Sequence, residues 1–97
     1  MGIHICLRKL DGSDHPEWDS LRHAGDREVL TIIDRAAGLI NNRPPDYNPW
    51  IHKELMFRPA DPEKLADATW PDVNPERWRL LTRILREEPD YWIDWGF

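Results

Sequence analysis

Cysteine is almost absent from the 97-residue chain. Cys6 stands alone, so no internal disulfide can form and none of the paired-cysteine zinc spacings can be drawn. That usage fits a reducing cytosol. Long apolar runs are missing too: the longest are a few residues, far short of the ~20 that span a bilayer. The N-terminus also lacks the basic, apolar and small-residue stretches of an export signal. The chain is therefore expected to work in the cytoplasm, away from the membrane. Lysine is scarce, and the formal charge of −5 argues against wrapping nucleic acid, whose phosphates demand a basic surface. Nor is there a glycine-rich phosphate loop, a G-x-S-x-G elbow, an H-E-x-x-H pair, or the signature of a DNA-reading zinc or homeodomain module. No cofactor is implied.

What is present is aromatic and charged. Six tryptophans accompany a hydrophobic fraction of 40%, a charged fraction of 32% and nine prolines. A chain of this length makes one domain, residues 1–97, and buries roughly 60–65% of its unfolded surface, so its core is small and its elements short. Charge is unevenly spread: residues 1–59 carry nine acids and eight bases, residues 60–97 nine acids and five bases. The C-terminal part, at −4, is suited to a partner with a basic surface. Ten of the thirteen bases are arginine, whose planar fork matches carboxylate, phosphate and aromatic faces better than an ammonium does.

Periodicity predicts an α+β domain. Ile3, Ile5 and Leu7 alternate with His4, Cys6 and Arg8, the pattern of a strand with one buried face. Residues 13–25 lack a sustained period and read as an ordered loop, with one helical turn after Pro16 bringing Trp18 and Leu21 to the same side. With Asp26 as N-cap, Val29, Ile32, Ile33, Ala36 and Ile40 fall at helical spacing, which predicts a helix over about 27–40. Asn41 to Pro45 stops it. KELMFR, residues 53–58, is the second candidate strand. Asp61-Pro62-Glu63 and Asn74-Pro75-Glu76 each read as a cap, a first-position proline and a first-turn acid. The first opens a short helix to about Ala68; the second opens a longer one with Trp78, Leu81, Ile84 and Leu85 on its apolar stripe, bounded by Pro89. YWIDW closes the chain as a third strand. The expected order is β-α-β-α-α-β, a small sheet of about three strands against two or three helices on one face.

Three chemistries compete for the polar residues. Metal binding would draw on His4 and Cys6, which share a strand face, with His15 or His23; no other close His/Cys pair exists, and no metal site is assigned. Hydrolysis would use the His, Asp and Glu residues of 15–28, His15, Glu17, Asp19 and His23 foremost, but nothing in the pattern marks one as desolvated. Recognition has the better material, because so small a domain cannot hide six indoles completely. Trp78 and Trp95 belong to the core by their spacing. Trp18, Trp50 and Trp92 are the candidates to show a face, and Arg22, His23 and Arg27 lie near the first helix as candidate anion partners. The expected activity is non-enzymatic binding, either of a host protein with a basic surface or of a small anionic nucleotide. Exposed tryptophans are also compatible with a homo-oligomer.

The opening MGIHICLRKLDGSDHPEWD with RHAGDRE close behind, and the ending NPERWRLLTRILREEPDYWIDW, resemble small uncharacterised proteins encoded by bacteriophages and prophages. The likeness covers both ends and is vaguer from about Arg43 to Trp70. It brings no catalytic residue and no cofactor. What it implies is a setting: a cytosolic phage protein acting on its bacterial host, first of all as an inhibitor of an antiviral defence.

Overall fold

The computed structural model describes residues 4–21, 23–43 and 55–96. Apolar alternation produces β1 (His4–Arg8), in which Ile5 and Leu7 are fully buried. β4 (Trp92–Gly96) pairs with it antiparallel, setting Leu7 opposite Ile93 and Ile5 opposite Trp95. Residues directly opposite share a sheet face, so these four line the core side, and Trp92 and Asp94 alternate onto the reverse face with Arg8 and Cys6. There Arg8 reaches diagonally to Asp94 at 2.6 Å while its Nε donates to Asp14, also at 2.6 Å. These contacts, the Asp14 hydrogen bond first, hold Arg8 above its ordinary value.

The α+β class forms as expected, with four strands rather than three. β3 (Met56–Pro59) pairs with β4, and β2 (Leu39–Asn41) with β3, giving an antiparallel sheet in the order β1-β4-β3-β2. β2 corrects the helix predicted to run to Ile40. α1 spans Val29–Ala37, and Gly38, at φ 73° and ψ 165°, turns the chain out of the helix in a conformation that resists any side chain. The Gly38 carbonyl accepts from Ala60 N–H at 3.0 Å, and the next three residues join the sheet. A strand that short shows no period, so the helical spacing of Ile40 misleads; its side chain is exposed.

Asp26 is likewise no N-cap. Residues Asp26–Glu28 make a turn of 3-10 helix leading into α1, and the Asp26 carboxylate is buried elsewhere. Pro62–Asp67 is a 3-10 helix, and α2 spans Pro75–Glu87. Both start with proline and an acid in the first turn, although neither Asp61 nor Asn74 caps with its side chain. Leu81, Ile84 and Leu85 of α2 join Val29 and Ile33 of α1 and Leu65 over the Ile5/Leu7 face, making one contiguous hydrophobic cluster. The end of α2 is tied to the sheet by Arg58 of β3, whose buried guanidinium donates to the carbonyls of Leu85, at 2.7 Å, and Tyr91. Carbonyls of a last helical turn have no partner within the helix, and Arg58 supplies one. Burial pulls Arg58 below its ordinary value. Among the described residues, no helix is long and apolar enough to cross a membrane.

Candidate functional site

Residues 15–28 form a pinned loop, and its pins are the side chains that the sequence offers as binding groups. Trp18 is not an exposed platform: it is 7% exposed, its indole N–H donates to the Ile5 carbonyl at 2.8 Å, and the Arg77 guanidinium lies 4.0 Å over its ring. Arg77 comes from the first turn of α2. It grips Asp26 with Nε and Nη2, both at 3.0 Å, and donates through Nη1 to the Asp19 carbonyl at 2.7 Å. The loop, the 3-10 turn that leads into α1, and α2 thus meet at one buried ion pair. Leu21, expected beside Trp18, is instead exposed, because the turn after Pro16 does not continue as a helix.

The acid and base candidates are engaged in the same scaffold. His15 is buried. The Glu17 N–H donates to its Nδ1 at 3.1 Å, which leaves the hydrogen of the neutral ring on Nε2, facing Glu88 at 3.0 Å. His23 Nε2 meets the Asp19 carboxylate at 2.8 Å. Asp19 is held below the ordinary carboxylate value, chiefly by the Leu21 N–H and then by His23. Glu17, Asp19, His23 and Glu76 line a cleft of about 360 Å³ over Trp18 and Arg77. Among the described residues, no group of three or more His, Cys, Asp or Glu is placed to hold a metal ion. Cys6 is buried within β1.

Of the predicted binding residues that are described, Trp18 and His23 share the cleft over Arg77, whereas Arg27 and Trp92 are not part of it. Arg22 and Trp50 lie outside the described residues. Arg27 is exposed, and His23 is tied back to Asp19. Trp92 is half-buried on the reverse face of the sheet, where it lines a separate cleft of about 410 Å³ with exposed Leu10, Pro89, Lys9 and the carboxylates Asp11 and Asp90.

The tryptophan–arginine combination is realised elsewhere. Between α2 and the segment 65–72 runs a groove of about 580 Å³. Its wall holds Trp70, half-buried and stacked on Trp78 with 5.5 Å between centroids and 10° between planes. Trp78 is locked in the core, its indole N–H donating to the Val73 carbonyl at 2.6 Å. Along the groove stand Arg79, Arg83 and Arg86, at positions i, i+4 and i+7 of one helix face, spanning about 10 Å. Among the described residues Asp72 and Glu87 also line the groove, so its own lining sums to +1 before the carboxylate partners of the arginines are counted.

Each of these arginines already holds a carboxylate: Arg79 pairs with Glu76, Arg83 with Glu17 at 3.0 Å, and Arg86 with Glu63 at 2.8 Å. All the partners are well exposed. Such exposed pairs contribute ~0–1 kcal/mol each, so an anion that engages two of the arginines at once can displace them. The sequence does carry a trace of this site, in the 79/83/86 spacing on the polar face of the helix it predicts from Pro75. Nothing in the pattern foretells the Trp70–Trp78 stack, because Trp70 lies in an irregular segment whose path depends on packing. No family model, curated protein or solved structure matches the chain.

Proposed function

We propose that this is a non-enzymatic binding protein, encoded by a phage or prophage, which works in the bacterial cytosol against a host defence and grips its target in the α2 groove. The observation that carries the reading is the half-buried Trp70, held in place by Trp78 in a groove that also holds three arginines whose side chains are 40–68% exposed. Aromatic faces beside arginine make up the energetic centre of most recognition surfaces. The likeness of both chain ends to small phage proteins supports the setting. Binding is favoured over hydrolysis because His15 and Asp26 are buried in pairs that hold the fold, and Asp19 and His23 are turned onto each other.

The test is a cellular one. Bacteria carrying an active defence are challenged with phage while expressing the chain or its Arg79→Ala/Arg83→Ala/Arg86→Ala variant. Wild type is expected to restore infection and the folded variant to lose that effect. Equal activity of the two would sink the groove as the site.

A second reading has its own observation. The cleft at Trp92 combines an apolar floor with a rim of Asp11, Asp90 and Lys9, one net negative charge, which suits the basic surface of a host protein. Under that reading Trp92→Ala abolishes protection and the arginine variant keeps it.

A further inference from the structure

Resting on the groove as the gripping surface, we propose that its occupant is a small nucleotide: a planar aromatic ring carrying two or more linked phosphates. The ring belongs at Trp70. Its indole is stacked nearly parallel on Trp78, and Trp78 is fixed both by burial and by the bond to the Val73 carbonyl. A ring that joins this stack meets a platform already oriented, and every base has a π-face with which to do so. Pro71 and Pro75 stiffen the same wall.

The phosphates belong at the arginines. The three arginines follow one another along α2 at about one helical turn, ~5.4 Å of backbone rise, so linked phosphates can engage two at once, where a lone carboxylate engages one. Arginine's fork also matches phosphate geometry with paired hydrogen bonds. The volume of about 580 Å³ lies in the range of ~300–1,000 Å³ typical of small-ligand sites. A long polyanion would face the repulsion of a chain at −5, whereas a single nucleotide engages the arginines in exchange for their exposed carboxylate partners.

The internal ion pairs give this proposal a distinctive signature. Glu63 holds Arg86 from the far side of the groove, and its side chain is 72% exposed. A phosphate must compete with it. Removing that competitor leaves the fold intact and is expected to tighten binding, whereas removing an arginine weakens it.

The experiment titrates the full chain with the four ribonucleoside triphosphates, adenosine, inorganic tripolyphosphate, a short single-stranded oligonucleotide and a glutamate-rich peptide, followed by calorimetry and indole emission. The triphosphates are expected to bind at least tenfold more tightly than adenosine or tripolyphosphate and to quench indole emission. Trp70→Leu and Arg83→Gln should each weaken binding tenfold or more in a cooperatively melting protein, and Glu63→Gln should strengthen it severalfold. Triphosphate binding no tighter than that of tripolyphosphate, or unaffected by Trp70→Leu, overturns the proposal, as does preference for the peptide or the oligonucleotide. If no nucleotide binds while the arginine variant still loses protection in cells, the nucleotide inference falls and the groove reading stands. If the arginine variant protects fully, the groove reading itself falls.

Discussion

The Arg77 guanidinium touches loop, helix and ring at once: two bonds to the Asp26 carboxylate, one to the Asp19 carbonyl, and a face over Trp18. Removing one partner of a buried pair strands the other charge, so Arg77→Ala or Asp26→Ala is expected to cost about 3–5 kcal/mol in urea denaturation. Arg83→Ala, whose pairs are exposed, should cost no more than about 1 kcal/mol. The combined Asp26→Leu/Arg77→Met variant should be more stable than either single alanine variant, because no unpaired charge remains. Gly25 is a second residue that tolerates nothing larger. Its φ is 92°, and a Cβ there would stand 2.8 Å from Cζ2 of Trp78. Gly25→Ala combines backbone strain with overpacking and is expected to lower stability by about 2–4 kcal/mol in the same assay. Composition already says that Trp18 is large and must be accommodated. That its face goes to Arg77, 59 positions away, could not be read from neighbours in sequence.

At the scale of elements, β4 occupies the inside of the sheet, with β1 on one side and β3 on the other. A chain ending at Asp90 loses both ladders and the Ile93 contacts, and is expected to show no cooperative thermal melt. Arg58 works at the same scale. Without its donor the Leu85 carbonyl in the last turn of α2 loses its partner, so Arg58→Leu should speed amide hydrogen exchange in that turn, Ile84 to Glu88, before it affects the first turn. β1, α2 and β4 are legible in the sequence because period and punctuation agree there: alternation for the strands, and a proline start with a four-residue apolar stripe for the helix. α1 is legible in its middle and misread at both ends. Asp26 resembles a cap locally but is claimed by Arg77, and the last positions beyond Gly38 are claimed by β3. Long-range partners outbid local propensity at just these points.

For the molecule as a whole, acid is the condition to which the fold answers. Asp19 and Asp11 both lie below the ordinary value of 3.8, Asp19 through the Leu21 N–H and His23, Asp11 through the hydroxyl and N–H of Ser13. A carboxylate whose folded value is depressed stabilises the fold above its unfolded value and loses that effect as pH falls through the folded one. Stability should therefore decline below about pH 4, and Asp11→Asn/Asp19→Asn should flatten that limb in urea midpoints measured against pH while leaving the slope between pH 5 and 7 unchanged. The sequence by itself determined the α+β class, the strands that open and close the chain, the helix α2, and an excess of indole and guanidinium suited to recognition, since all of these follow from local spacing and composition. Only the tertiary structure decided which indoles are spent on the core and which wall a groove: Trp18 goes to Ile5 and Arg77, and Trp70 stacks on Trp78 beside three arginines. The physical reason is that burial of a side chain depends on residues distant along the chain, and an irregular segment such as 68–72 takes its path from what it packs against.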